Sequence, residues 1–204
     1  RFPVVAGRDV NGKLICFDMK VLPHLLIGGT TGSGKSVEST VIIVSWIEYF
    51  TKVRKGGLKL YLADLKLGNF HIFRNVNLVQ EVITTVKKLK TVVDILEKEL
   101  DVRGKLLDKY QVDHIDNLPI KLDYLVLFID EYEVIKDPKI EESIYQLVAR
   151  GRALGIFVVA CMQRPDAKTM DTRIRALMNV RYCFRVRAKI ESVIVLGIND
   201  VDSS

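Results

Sequence analysis

Residues 24–36 read HLLIGGTTGSGKS: an apolar run, then nine residues of Gly, Thr, Ser and Lys that cannot be packed as core. Within them Gly29, Gly34, Lys35 and Ser36 fit the pattern G-x-x-x-x-G-K-[ST]. That pattern is credible only between a strand and a helix. Both are expected: a short strand over 24–28, and a helix over 36–50 with Val41, Val44 and Ile47 among its apolar positions. The physical reading is anion capture. Glycines let successive backbone N–H groups turn inward, and the following helix adds the positive end of its dipole. Gly29, Thr30, Thr31, Gly32, Ser33, Gly34, Lys35 and Ser36 are thus the candidate phosphate-binding residues. Lys35 would neutralise β/γ-phosphate charge, and the Ser36 hydroxyl would face Mg²⁺. By residue frequencies alone the pattern arises in about 1% of chains this long, so a plain glycine turn is the weaker reading.

Phosphate binding does not by itself imply hydrolysis. A hydrolytic site needs acidic residues at the end of another buried strand, and Tyr124–Asp130 followed by Glu131 supplies them. Asp130 is the candidate metal residue through water, and Glu131 the candidate that orients and polarises an attacking water. The plainer reading is that Asp130 caps a helix starting near Tyr132.

Further strand candidates are Leu58–Asp64, 156–161 and 180–186, most of them apolar on both faces. Strands of that kind lie in a mainly parallel sheet covered by helices on both sides. The clearest helix is expected over 80–110, where Val82, Val86, Leu89, Val93, Leu96 and Leu100 make one apolar stripe, with Gly104 as a potential break. Turn signals at Gly7-Arg8-Asp9 and Asn11-Gly12 predict an N-terminal hairpin. The expected organisation is therefore a lead-in hairpin over 1–22 and an α/β core over 23–204.

The composition fits one domain: 204 residues, 49% hydrophobic and 27% charged. No apolar run approaches the roughly 18 residues of a membrane-spanning helix. Cys16, Cys161 and Cys183 show no paired spacing and read as buried thiols in a reducing compartment. Net charge is +6, which favours anionic partners. From Arg150 to Lys189 ten Lys/Arg face only Asp166 and Asp171, so the C-terminal third carries the positive field.

Together, residues 23–36, the Asp130-Glu131 pair, 149–156 (ARGRALGI) and Met162-Gln163-Arg164-Pro165 resemble the motor domain of the FtsK/SpoIIIE DNA translocases, in order and in spacing. The resemblance covers nearly the whole chain. It implies a RecA-like P-loop NTPase core of the ASCE type, working as a ring of usually six subunits that hydrolyses ATP with Mg²⁺ at subunit boundaries while threading double-stranded DNA. On it, Gln163 resembles the polar sensor of the γ-phosphate. Arg152 resembles the arginine presented in trans to a neighbour's nucleotide, with Arg150 as competitor; for either, the plain alternative is an arginine on a helix C-terminus. Lys168, Arg173 and Arg175, in a segment (166–178) that resembles a pore loop, are candidates for DNA backbone contacts, against the alternative of a solvated surface loop. Asp64 and Lys66 match an Asp-x-Lys after the second strand, with a supporting rather than chemical role for Asp64.

There are departures. The family's Gly-rich closing segment, winged-helix DNA reader and membrane helices have no counterpart here, so the core is expected to be C-terminally incomplete and any membrane attachment to lie outside it. Tyr132-Glu133 and Cys161-Met162 replace the usual Phe-Ala and Ala-Thr. These changes point to the plasmid, phage and conjugative branch. The expectation is a cytoplasmic ATP-driven DNA translocase domain, hexameric in the full-length protein, that moves DNA during transfer of a mobile element. A protein-secretion ATPase of the type VII kind shares the core and the loop and is the alternative; a subunit that binds ATP without turnover is a third reading.

Overall fold

The structure is a computed structural model that describes residues 1–164, 166 and 169–197. Its centre is a six-stranded sheet built from β3 (Leu25–Gly28), β4 (Leu58–Asp64), β5 (Val79–Ile83), β6 (Tyr124–Asp130), β7 (Ile156–Met162) and β8 (Val180–Cys183). The strand order is β5-β4-β6-β7-β3-β8, and every pairing is parallel. Every residue of β3, β6 and β7 is buried, as expected of strands covered on both faces. Because all strands run the same way, their C-terminal ends share one edge: Asp64 stands opposite Asp130, and Gly28 opposite Met162 and Cys183.

The covering helices are α1 (Lys35–Glu48), α2 (Val86–Tyr110), α3 (Pro138–Leu154), α4 (Thr172–Leu177) and α5 (Lys189–Leu196). The expected long helix is shorter at its start. Val79–Ile83 is an edge strand, and α2 begins at Val86 behind Thr85, whose hydroxyl accepts from the Lys88 N–H. Gly104 does not break it: α2 continues through this position to Tyr110. Leu89, Val93, Leu96 and Leu100 are fully buried, each stabilising by about 2 kcal/mol. Arg103 from the same helix is 3% exposed, with each guanidinium nitrogen hydrogen-bonded: it donates to the Leu154 and Asp123 carbonyls and to Glu99, tying α2 to the end of α3 and the start of β6. Asp137, Pro138 and Gly155 start and stop α3 as capping chemistry requires.

The N-terminal hairpin is present as β1 (Pro3–Arg8) paired antiparallel with β2 (Leu14–Asp18). It is anchored on the core. Phe2 is fully buried, with ring centroids 5.0 Å from Phe50, 5.3 Å from Trp46 and 5.4 Å from Tyr124 and Phe157, while the Trp46 indole donates to the Pro3 carbonyl at 3.0 Å. Only Cys161 is a buried thiol; Cys16 is exposed on β2 and Cys183 is half-buried, so the reading of all three as core residues is corrected. Burial pushes the Cys161 thiol up to about 12, which leaves it inert. Among the described residues no helix is long and apolar enough to cross a membrane.

Candidate active site

The phosphate loop leaves β3 at Gly28 and re-enters regular structure at Lys35. Gly34, at φ 104°, makes the left-handed step into α1 that other residues resist. Gly29 has a different reason: a Cβ there would lie 2.6 Å from Phe184 Cβ and 2.8 Å from Ser33 Oγ. The segment after β8 is what comes so close. Phe184 N–H donates to the Gly28 carbonyl at 2.8 Å, and the Thr30 N–H and hydroxyl both donate to the Arg185 carbonyl. For this reason β8 ends at Cys183, short of the expected 186: the chain turns off the sheet to brace the loop.

Thr30, Thr31, Gly32, Gly34, Lys35, Ser36, Val37 and Gln163 line a cavity of about 260 Å³. The first amides of α1 open onto this loop, and helix geometry leaves such amides without intrahelical partners. The cup is therefore lined by N–H groups and hydroxyls, with one ammonium behind it.

Two strands away in the sheet, β6 delivers the acidic pair. Lys35 Nζ lies 3.4 Å from Asp130 Oδ1, and both side chains are buried. Asn69 donates to the other Asp130 oxygen at 3.2 Å. Glu131 follows in a left-handed backbone conformation, φ 62° and ψ 59°, which is uncommon for a side chain of its size and sets the direction in which that side chain leaves the backbone. Asp130 does not cap the helical turn at Tyr132; Glu131 holds that cap position, without a side-chain hydrogen bond.

Gln163 joins the two halves. Its amide N–H donates to Glu131 Oε1, and its amide oxygen accepts from the Thr31 hydroxyl at 3.2 Å. Its backbone N–H is held by Glu133 Oε1 at 3.1 Å. The second Glu131 oxygen forms an ion pair with Lys66 at 2.9 Å. The phosphate loop, the strand-end amide and the candidate base thus form one connected chain. The roles of Glu133, Asn69 and the Phe184-Arg185 brace have no signal in the sequence beyond the departure of Glu133 from the family pattern.

Other candidates lie elsewhere. Arg150 pairs with Asp101 at 2.8 Å, and Arg152 donates to the Lys20 carbonyl at 3.3 Å. Both sit at the end of α3, just before β7 starts, so the length of β7 separates them from the phosphate loop of their own chain. Arg173 is engaged by Asp171 and Glu142 and stacks 4.4 Å over Tyr145. Arg175 is half-buried, with Nη1 lacking a hydrogen bond. Lys168 lies outside the described residues.

The donors also suit a divalent ion of the magnesium type. Ser36 and Asp130 are hard oxygen donors beside an anion cup, as expected when phosphate and water complete the coordination. Among the described residues no cluster of three or more His, Cys, Asp or Glu could cage a metal alone.

The sequence model of the FtsK/SpoIIIE family matches residues 1–134. The DNA translocase FtsK of Borreliella burgdorferi is 35% identical over 211 residues, covering 97% of this chain and 26% of that protein. Among solved structures, the pCW3 conjugation coupling protein TcpA, bound to ATPγS, superposes with TM-score 0.82 at 28% identity, over 96% of this chain and 58% of that one. The cytoplasmic domain of EssC superposes with TM-score 0.81 at 19% identity, over 98% of this chain and 40% of that one, a likeness of fold. The chain spans less than half the length of the curated relatives it matches. With the phosphate cup and acidic pair assembled on an all-parallel sheet, the chain belongs to the FtsK/SpoIIIE family.

Proposed function

We propose that this chain is the ATP-hydrolysing core of a motor that moves double-stranded DNA, assembled as a homo-oligomeric, six-membered ring in the full-length protein and serving plasmid or conjugative transfer on the cytoplasmic side. The observation that carries the reading is the Thr31–Gln163–Glu131 chain, which ties a phosphate cup to a carboxylate one residue from the Lys35–Asp130 pair. A bare phosphate-binding loop has no need of that link.

In this reading the amides of the loop and of the first turn of α1 bind the triphosphate tail, and Lys35 exchanges Asp130 for the β/γ-phosphates, where its charge meets more negative charge. Ser36 and Asp130 would hold Mg²⁺, which supplies charge compensation on the phosphates. Glu131 orients the attacking water and accepts its proton. Gln163 moves between Glu131 and the γ-phosphate and so reports whether nucleotide is present. Arg150 and Arg152 lie at the far end of their own sheet, so an arginine that reaches the nucleotide comes from a neighbouring copy, with Arg152 the candidate. Lys168, Arg173 and Arg175 contact the DNA backbone from the pore side, and for Arg173 this requires exchanging Asp171 and Glu142 for phosphate.

The test is ATP turnover of the full-length protein with double-stranded DNA, single-stranded DNA and no nucleic acid. Stimulation by duplex above both other conditions is expected. Turnover indifferent to DNA would contradict the motor reading, and capture of a secreted peptide instead would favour protein export.

A further inference from the structure

All four oxygens of the acidic pair are held, and they are held from two sides. On the phosphate side Lys35 meets Asp130 Oδ1 and Gln163 meets Glu131 Oε1. On the opposite side Asn69 meets Asp130 Oδ2 and Lys66 meets Glu131 Oε2. Both of these last partners come from one turn, residues 64–70, directly after β4. We infer that this turn is the positioning frame of the site, with Lys66 the residue that aims the Glu131 carboxylate and Asn69 its counterpart for Asp130.

The turn is built to be rigid. Asp64 is 2% exposed, and its carboxylate accepts from the backbone N–H groups of Gly68 at 2.7 Å, Asn69 at 3.1 Å and Phe70 at 2.9 Å. Phe70 closes the turn from inside, fully buried with its ring 5.3 Å from that of Phe128, two residues before Asp130. Asp64 itself stands opposite Asp130 in the sheet. Turn and acidic pair are therefore fixed to each other through register, ring packing and three backbone hydrogen bonds, while Lys66 and Asn69 reach across.

The inference rests on the hydrolytic reading above and adds to it. In that reading nucleotide claims Lys35 and Gln163, and the carboxylates lose the partners on that side. Lys66 and Asn69 are then the partners remaining among the described residues. Glu131 is buried, and without Lys66 its Oε2 has no hydrogen bond to replace the ion pair. A carboxylate free to swing loses the alignment on which water attack depends, and misplacement by about 1 Å costs on the order of 100-fold in rate. Because Lys66 touches neither loop nor cup, nucleotide affinity does not depend on it.

The experiment compares the full-length wild type with Lys66→Ala and Lys66→Arg in steady-state ATP turnover with duplex DNA, alongside ATPγS titration and thermal unfolding. The Lys66 side chain is half-exposed, so both variants should fold. Lys66→Ala is expected to lower kcat about 10- to 100-fold with KM and ATPγS affinity within about twofold of wild type, and Lys66→Arg to recover most of kcat. A Lys66→Ala enzyme with wild-type kcat, or one losing ATPγS affinity in step with kcat, would overturn the inference while leaving the hydrolytic reading intact. A wild type that never hydrolyses ATP would remove both.

Discussion

Lys35 Nζ and Asp130 Oδ1 sit 3.4 Å apart although ninety-five residues separate them, and both side chains are almost fully withdrawn from solvent. A buried ammonium with one carboxylate partner beside an amide-lined cup is poised for a stronger anion. Lys35→Ala is therefore expected to weaken ATPγS binding by roughly 100-fold and to abolish turnover, since charge-assisted contacts to phosphate contribute about 2–3 kcal/mol. Titration calorimetry reads this directly; an affinity unchanged from wild type would place the nucleotide elsewhere.

Glu131→Gln separates binding from chemistry. The amide keeps the size of the side chain and removes its capacity to take a proton, so kcat should fall about 100- to 10,000-fold with ATPγS affinity preserved. Turnover matching wild type would support a subunit that binds ATP without using this carboxylate.

Phe2 touches four aromatic rings from the second position of the chain, and the hairpin depends on it. Phe2→Ala should destabilise the domain by about 3–5 kcal/mol through the cavity it leaves, read as a lower urea midpoint. A shift under about 1 kcal/mol would mean that the hairpin docks independently of this ring.

His24 gives stability a pH dependence. It is buried at the start of β3, its Nδ1 accepts from the Val158 N–H at 3.0 Å, and burial pushes its pKa down to about 4. The unfolded chain takes up the proton near pH 6.5, before the folded one does. The contribution of His24 is therefore complete above pH 6.5 and is lost as pH falls toward 4, at most about 3 kcal/mol. Urea unfolding between pH 7.5 and 4.5 should show this slope, and His24→Asn, chosen because the backbone here has φ 66°, should flatten it. Identical slopes in the two proteins would contradict the assignment.

What the sequence reveals here follows from how local each feature is. The phosphate loop is legible because its glycines, lysine and serine are consecutive and each answers a backbone or charge requirement. The buried strands β6 and β7 are legible as unbroken apolar runs. Val79–Ile83 is not, since Val82, Val86 and Leu89 also satisfy helical spacing, and only pairing with β4 makes the segment a strand. The partners of the acidic pair and of Gln163 are hidden for a related reason. Lys66 and Asn69 come from the turn after β4 and Glu133 from the turn after β6, and nothing in the local sequence of either turn shows that they converge on Asp130, Glu131 and Gln163. Cys16 lies in an apolar run whose strand belongs to a two-stranded sheet, too thin to bury both faces.

The most direct measurement of the central claim is a crystal structure of this chain soaked with ATPγS and Mg²⁺. The triphosphate is expected in the cup between Thr30 and Ser36, with Lys35 turned from Asp130 to the phosphates and Asp130 facing the ion. Nucleotide bound away from this loop, or Lys35 still paired with Asp130 beside a filled cup, would contradict it.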